Sequence, residues 1–291
     1  MSRFAYVNGL YLRHAEAVVH VEDRGYQFAD GVYEVCEIRN GRLIDEALHM
    51  ARLERSLREL RITMPMSLPA LGVVMREVVR RNRVREGLVY LQVTRGVAPR
   101  NHLFPAEGTP PSIVVTAKSA PSRAGDSKAE KGVSVISVPD NRWERVDIKT
   151  VSLLPNVLAK QAAKEAGAYE AWFVDADGMV TEGSSTNAWI VTADGKLVTR
   201  PAESGILRGI TRTVLFEVAK AAGYRIEERP FSIAEAQAAR EAFFTAATAV
   251  VMPVVELDGK PIANGAPGTI ATELRRRFHE FAAVAPARSH G

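Results

Sequence analysis

Apolar and polar residues alternate along the first 120 residues in runs that predict short β-strands. Two such runs flank Asn8-Gly9, a dipeptide typical of tight β-hairpin turns. Later runs show the same period of two, and between them apolar residues recur at helical spacing. The predicted strands are 32–39, 87–94 and 112–117, and the predicted helices are 46–60 and 68–81.

A polar segment, 118–132 (KSAPSRAGDSKAEKG), contains almost no apolar residue except alanine and predicts a boundary between domains. We therefore expect a small N-terminal domain, 1–118, a linker, 119–132, and a larger C-terminal domain, 133–291. The last residues, from Ala285, are expected to fray.

Strands and helices follow one another irregularly after the linker. Ser232 and Glu235 form the capping box of a short helix. The predicted helices are 156–166, 210–222 and 268–281, and strands are predicted at 133–138 and around Phe243 and Val254. Because regular βαβ alternation is absent, the pattern favours an α+β fold with antiparallel or mixed sheets.

Composition is that of a globular protein and excludes few functions. The chain has 291 residues, 46% hydrophobic and 25% charged, with a net charge of +4 and arginines scattered along it. Without a basic run interleaved with aromatics, nucleic-acid binding has little support. One cysteine, Cys36, allows no intrachain disulfide, and no stretch approaches the length of a membrane span. We expect a cytoplasmic protein without a metal site.

Lys149 differs from the other eight lysines because it lies in an apolar run, VDIKTVSLLP. A buried ammonium is costly, so such a lysine often loses its proton and becomes a nucleophile toward carbonyl groups. The alternative is a lysine at a strand end whose ammonium reaches solvent. The position alone supports the two equally.

Two glycine-containing segments are candidates for ligand binding. Residues 204–212 (SGILRGITR) form a turn that leads into a helix start, where N–H groups favour an anion; an ordinary turn-to-helix junction is the alternative. Glu182 precedes Gly183 and small hydroxyl residues, a place where a carboxylate can hold a proton on a heterocyclic nitrogen. Its alternative is a solvated loop.

Three further segments contain side chains suited to binding anions. Arg100 and His102 lie on a Pro-bounded loop and could grip a carboxylate. Tyr33 enters an apolar strand, and Arg52 follows His49 on the polar side of its helix. Taken singly, each of these has an ordinary structural or solvated alternative.

Taken together, these segments resemble the fold-type IV pyridoxal-phosphate enzymes, a superfamily that includes D-amino-acid and branched-chain aminotransferases. The similarity extends from Tyr6-Val-Asn-Gly9 to Asp258-Gly259 and is strongest to the D-amino-acid branch. It implies a two-domain α+β fold, with a small N-terminal α/β domain and a larger, barrel-like C-terminal domain of mixed strands and helices. The implied cofactor is pyridoxal 5'-phosphate.

The resemblance also implies a role for each candidate residue. Lys149 would form the Schiff base and transfer the proton between substrate and cofactor, and Glu182 would contact the pyridine nitrogen. Tyr33, Arg100 and His102 would bind the substrate carboxylate, with the Arg-His loop coming from the partner subunit of a homodimer. The remaining cofactor contacts would be made by Arg52, Ser185, Leu207, Ile210, Thr211 and Thr248.

Transamination between a D-amino acid, such as D-alanine, and a 2-oxo acid, such as 2-oxoglutarate, is thus the predicted reaction. Three alternatives remain: an L-branched-chain aminotransferase, an aminodeoxychorismate lyase, and a non-catalytic binding or structural module. Arg100 and His102 argue against the first, and Lys149 with Glu182 argues against the last.

Overall fold

The computed structural model describes residues 3–120, 126–203 and 205–284, and these divide into two compact units. Unit 1 comprises the described residues up to 120 together with Ile148–Ser152. Unit 2 comprises residues 126 to 147 and the described residues from 153 onward. The predicted second domain included 148–152, whereas these residues belong to unit 1. The terminal residues expected to fray, from Ala285, lie outside the described part of the chain.

Unit 1 contains a six-stranded antiparallel sheet in the order β2-β1-β6-β5-β3-β4. Its strands are β1 (Phe4–Val7), β2 (Leu10–Arg13), β3 (Gly31–Arg39), β4 (Arg42–Leu43), β5 (Gly87–Thr94) and β6 (Ser112–Ser119). Along β5, Val89, Leu91 and Val93 are fully buried and alternate with less buried residues. The predicted alternation therefore identifies the face of the sheet that packs in the core.

Three helices complete unit 1: α1 (Arg24–Phe28), α2 (Glu46–Glu59) and α3 (Leu68–Arg81). The last two agree with the predicted helices to within one residue. The Ser67 side chain accepts a hydrogen bond from the Ala70 N–H and so caps α3, which has a proline in its first turn. The apolar sides of α2 and α3 join the buried face of the sheet in one core that includes Leu53 and Met75.

Unit 2 contains a nine-stranded mixed sheet. Its strands are β7 (Val133–Pro139), β8 (Glu170–Val174), β9 (Val180–Gly183), β10 (Asn187–Val191), β11 (Leu197–Thr199), β12 (Ile226–Glu228), β13 (Glu241–Ala246), β14 (Val250–Leu257) and β15 (Lys260–Pro261). The order is β12-β11-β10-β13-β14-β7-β8-β9, with β15 on β14, and β7 pairs in parallel with both β8 and β14. A tight turn closed by the Gly183 N–H and the Thr186 carbonyl joins β9, at one end of this order, to β10, near the other. The sheet is therefore curled in a barrel-like way, and the predicted α+β class with mixed sheets is confirmed.

Five helices belong to unit 2: α4 (Asp126–Lys131), α5 (Leu154–Glu165), α6 (Ile210–Ala221), α7 (Ile233–Gln237) and α8 (Thr269–Val284). The segment predicted as an interdomain linker contains α4, whose residue Ala129 is buried in the unit's core. Residues 121–125 of that linker lie outside the described part of the chain. Ser232 accepts from the Glu235 N–H, as the capping-box prediction requires. No helix in the described ranges has the length and apolar character needed to cross a membrane.

Candidate active site

Lys149 lies on an irregular segment of unit 1 that runs beside β3. The Tyr33 N–H donates to the Lys149 carbonyl at 3.1 Å, and the Val151 N–H donates to the Gly31 carbonyl at 3.0 Å. Only Thr150 forms a bridge, with Val32. These contacts fix the backbone of Lys149 to β3, although the segment follows the polar boundary in the sequence.

The Lys149 amine faces an aromatic wall. Its Nζ lies 4.3 Å from the centre of the Tyr33 ring, and Tyr33 stacks on Tyr90 with ring centres 5.7 Å apart. Burial, and then the neighbouring Tyr33 phenol, raise the pKa of Tyr90 to about 12. The Tyr33 ring face attracts the ammonium form of Lys149. The deprotonated amine at this position has the chemistry to attack a carbonyl carbon.

Arg52 is not a solvated arginine on the polar side of α2. Its Nε and Nη2 donate to the two carboxylate oxygens of Glu34 at 2.7 and 2.8 Å, and His49 Nδ1 lies 2.7 Å from Glu34 Oε2. Burial alone would raise the pKa of Glu34, but the charge and hydrogen bonds of Arg52 and the hydrogen bond of His49 lower it to about 2. Glu34 is therefore an anion buried between two donors.

Arg100 and His102 gather around one aromatic ring of unit 1. The Arg100 guanidinium lies 4.5 Å from the Phe28 ring centre, and the His102 and Phe28 ring centres are 5.5 Å apart. Arg24 lies 4.7 Å from the same ring and donates from Nη1 to the Asn101 carbonyl at 2.7 Å. Arg100 and His102 are nevertheless exposed, so the loop presents both side chains outward from a fixed base.

The carboxylate of Asp30 binds two arginines that contact the loop carrying Arg100 and His102. Asp30 accepts from Arg24 Nε at 2.9 Å and from Arg95 Nε at 2.7 Å. Burial would raise the pKa of Asp30, but the hydrogen bonds and charges of the two arginines lower it. Arg95 also lies 3.7 Å from the Phe104 ring centre, at the far end of the loop. The loop is thus anchored at both Phe28 and Phe104.

Glu182 is buried in unit 2 and surrounded by donors. Arg142 Nη1 donates to its Oε1 at 2.5 Å, and Asn187 Nδ2 donates to its Oε2 at 3.0 Å. The Leu207 N–H lies 3.2 Å from both carboxylate oxygens. These donors stabilise the ionised carboxylate, which is the state needed to hold a proton on a heterocyclic nitrogen.

Arg142 is itself oriented by groups other than Glu182. Its Nε and Nη2 donate to the two oxygens of Asp140 at 2.9 and 2.7 Å, and its guanidinium lies 4.4 Å from the Phe173 ring centre. Burial would raise the pKa of Asp140, but hydrogen bonds and charge from Arg142 lower it. Asp140 and Glu182 therefore share one buried cation.

Ile210 and Thr211 are the first two residues of α6, as the turn-to-helix prediction requires. The helix begins after Gly209 without a side-chain cap, and the Thr213 N–H makes its first backbone bond, to the Gly209 carbonyl. The N–H groups of Ile210 and Thr211 therefore have no acceptor within the helix. A Cβ on Gly209 would lie 2.0 Å from Asn187 Oδ1, so this close approach requires glycine. Ser204, at the start of the predicted anion-binding turn, lies outside the described residues.

Ser185 and Thr248, the remaining predicted cofactor contacts, are both exposed. The Ser185 hydroxyl lies 3.4 Å from the buried Glu170 carboxylate. Thr248 lies on the turn between β13 and β14, and Arg275 Nη1 donates to the carbonyls of Ala249 and Val251 beside it. In the described ranges, no three or more His, Cys, Asp and Glu side chains cluster as metal ligands would.

Several partners of the predicted residues were missed in the sequence. For Glu34 a signal exists: at a spacing of two residues it shares a strand face with Val32, Cys36 and Ile38, all buried, so the strand pattern places a carboxylate on the core face. A charge there requires a partner. Arg142 and Asn187 carry no comparable signal, because their contacts with Glu182 depend on how distant segments meet. The contacts of Arg24 and Phe28 with the Arg-His loop were not predicted either.

Comparison with known proteins finds relatives along nearly the whole chain. A family model described as amino-transferase class IV matches residues 31–257. The D-alanine aminotransferase of Bacillus licheniformis is 42% identical over 268 residues, covering 92% of this chain and 93% of that protein. The D-alanine aminotransferase of Staphylococcus aureus strain N315 is 39% identical and covers 95% of this chain and 96% of that protein.

A solved structure shares the fold over almost the full length. The branched-chain aminotransferase of the thermophilic archaeon Thermoproteus uzoniensis, with norvaline, has a TM-score of 0.85 at 27% identity, covering 97% of this chain and 95% of that one. The resemblance and the fold inferred from the sequence are thereby confirmed. Because the family model spans most of the chain and relatives of this similarity cover nearly all of it, the chain belongs to the class IV aminotransferase family.

Proposed function

We propose that this protein transfers the amino group of a D-amino acid, such as D-alanine, to a 2-oxo acid, such as 2-oxoglutarate. The observation that carries the D-amino-acid assignment is the loop on which Arg100 and His102 both pack around Phe28. Two cationic or hydrogen-bonding side chains presented together suit a substrate carboxylate. The relatives named D-alanine aminotransferase, at 42% and 39% identity, support the same assignment.

Pyridoxal 5'-phosphate is the proposed cofactor, and the side chains present fit it. When bound, this cofactor supplies an aldehyde that bonds to amines and a protonated pyridine ring that withdraws electrons. The fit rests on the donor set: an amine on an aromatic wall, a buried carboxylate, an arginine and an uncapped helix start. Each matches one functional group of the cofactor.

Each residue is proposed to do one part of the work. Lys149 would hold the cofactor through its amine, and the same amine would take the proton from the substrate Cα. Glu182 keeps the ring nitrogen protonated, and Leu207 packs against the ring. The phosphate is bound by Arg52, by the N–H groups of Ile210 and Thr211 and by the hydroxyls of Ser185, Thr211 and Thr248. Because Ala246 and Ala247 precede Thr248, hydroxyl groups are sparse on that turn.

Tyr33, Arg100 and His102 are proposed to bind the substrate carboxylate in a homodimer. Within one chain Tyr33 contacts Tyr90 and Lys149, whereas Arg100 and His102 contact Phe28, so the three form two groups. Exposed apolar side chains near these segments include Tyr26 and Leu103, at 77% and 74% exposure. Such side chains suit a subunit interface through which the partner contributes its Arg-His loop.

Mixing two impaired variants tests the shared site. At a D-alanine concentration well below KM, the Lys149→Ala homodimer is expected to be inactive and the Arg100→Ala homodimer to retain only a small fraction of the wild-type rate. A mixed dimer has one site with an intact Lys149 and an intact Arg100 from the partner subunit, so partial activity should return after subunit exchange. If both residues act within one chain, no mixture regains activity.

The decisive assay compares the two hands of substrate. D-Alanine with 2-oxoglutarate should give pyruvate and D-glutamate, with the parallel-line kinetics of a reaction in which both substrates use one site in turn. L-Leucine should give no product. Activity with L-leucine and none with D-alanine would establish the branched-chain alternative, and pyridoxal-phosphate-dependent elimination from aminodeoxychorismate would establish the lyase alternative.

A cytoplasmic location is proposed from cysteine usage. The single cysteine, Cys36, is free and buried. Burial raises the pKa of its thiol well above the ordinary value, so the thiol stays protonated and unreactive. A chain that uses no disulfide suits a reducing compartment.

A further inference from the structure

The pairing of Glu34 with Arg52 has a geometry that goes beyond charge neutralisation. Both carboxylate oxygens are engaged: Oε1 by Arg52 Nε, and Oε2 by Arg52 Nη2 and His49 Nδ1. The Glu34 side chain is 0% exposed and that of Arg52 is 10% exposed. Two parallel bonds to one edge of a guanidinium define its plane as well as its position.

When Glu34 holds one edge of the Arg52 guanidinium, the orientation of the other edge is fixed as well. Nη1 is the arginine nitrogen on the edge that Glu34 does not engage, and its direction is set once Nε and Nη2 are fixed. A free arginine side chain loses rotamer entropy when it binds an anion. If Glu34 has already ordered the guanidinium, part of that cost is absent when a phosphate arrives.

His49 ties the same carboxylate to α2 a second time. A carboxylate only accepts, so Nδ1 must carry the proton that faces Glu34. His49 and Arg52 are three residues apart on α2, and Glu34 is on β3, so the carboxylate fastens strand to helix at two points. One turn further along α2, the Ser56 hydroxyl lies 3.4 Å from the Lys149 N–H.

The Lys149 segment is therefore held by the two elements that Glu34 joins. β3 contacts it through the Tyr33 N–H and the Gly31 carbonyl, and α2 contacts it through Ser56. The arrangement sets where Arg52 stands relative to Lys149. This spacing matters for any ligand that bonds to the lysine at one end and to the arginine at the other.

We propose that Glu34 is a positioning residue for cofactor binding: it orients Arg52 for the cofactor's phosphate, with His49 holding Glu34 in turn. The inference rests on the proposed role of Arg52. A merely structural ion pair would stabilise the fold without distinguishing one cofactor form from another. A positioning role instead predicts a defect confined to ligands that carry the phosphate.

The test compares binding of pyridoxal 5'-phosphate with binding of pyridoxal, which lacks the phosphate. Full-length protein is purified with its cofactor, freed of it by dialysis against a competing amine, and titrated with each ligand. Glu34→Gln should lower the affinity for pyridoxal 5'-phosphate by about tenfold or more, the effect of losing one charge-assisted hydrogen bond. The affinity for pyridoxal should change by less than about twofold. Glu37→Gln, on the same strand and paired with the partly exposed Arg39, should change neither.

Two further variants keep the outcome decisive. If Glu34→Gln does not fold, Glu34→Asp keeps the charge but shortens the reach, and it should show the same phosphate-selective loss. Arg52→Lys should also lose phosphate selectivity, and adding Glu34→Gln to it should cause little further change. The inference is overturned if a Glu34 variant binds pyridoxal 5'-phosphate normally, or if it loses affinity for both ligands equally. In that case, weaker binding of pyridoxal 5'-phosphate by Arg52→Lys would still support the proposed function. If Arg52→Lys binds the phosphate form normally, the proposed role of Arg52 fails and the inference with it.

Discussion

The Arg142 guanidinium donates a 2.5 Å hydrogen bond to Glu182 Oε1, and only 5% and 7% of the two side chains are exposed. Arg142 is at the same time bound by Asp140. One cation thus compensates two carboxylates that are largely shielded from solvent, and removing it takes this compensation from both. Breaking a buried pair from one side is costly because the remaining charge stays desolvated.

Arg142→Met should therefore lower the free energy of unfolding by about 3 kcal/mol or more, measured by urea titration at neutral pH.

Glu182→Gln removes the negative charge of the carboxylate, and the amide that replaces it cannot hold the proton of the cofactor ring in the same way. We expect kcat with D-alanine to fall about a hundredfold or more. The control is Glu203→Gln, whose side chain is exposed and pairs with Arg208; a similar fall in this control would contradict the role of Glu182.

Lys149→Ala should abolish transamination and covalent retention of the cofactor. Borohydride reduction of the wild-type holoenzyme followed by peptide mapping should find the label on the peptide that contains Lys149. Lys220→Ala, at an exposed position on α6, should behave as the wild type. A label on any other lysine would refute the assignment.

Arg100→Ala should raise KM for D-alanine about tenfold or more, because a charged contact with the carboxylate is lost. Binding of pyridoxal 5'-phosphate should be unchanged. Phe28→Leu removes the ring on which Arg100 and His102 pack, so KM should rise in the same direction but less. Arg13→Ala, an exposed arginine on β2, is the matched control, and an unchanged KM for Arg100→Ala would count against the carboxylate-binding role.

Glu34 should make stability depend on pH in the acid range. Its folded pKa of about 2 lies below the ordinary value of 4.5, so its contribution is present above pH 4.5 and is lost as the pH falls toward 2. The contribution is on the order of 3 kcal/mol. The urea midpoint of Glu34→Gln should accordingly lie below that of the wild type at pH 7, and the difference should narrow at a pH of about 2.5, close to the folded pKa. If the urea midpoints of wild type and variant differ equally at both pH values, the stabilisation does not come from the charge of Glu34.

Prediction from the sequence succeeded where a pattern repeats over neighbouring residues. The helices α2 and α3 and the strand β5 were located to within one residue, because periods of 3.6 and 2 appear directly in the order of apolar residues. The types of chemistry were also recognisable, since Lys149 stands out from the other lysines by its apolar neighbours. The helix α4 was not predicted, because its buried Ala129 looks in sequence like any alanine in a polar run.

The residue order was enough to predict most helices and strands and the family of reaction that Lys149, Glu182 and the start of α6 indicate. Tertiary structure alone decided that Arg52 pairs with Glu34, 18 residues away, and that Glu182 pairs with Arg142, 40 residues away. It also decided that the Lys149 segment packs against β3, far earlier in the chain. These contacts form only when the chain reverses and packs, and a buried charge then takes whichever donor the fold brings to it.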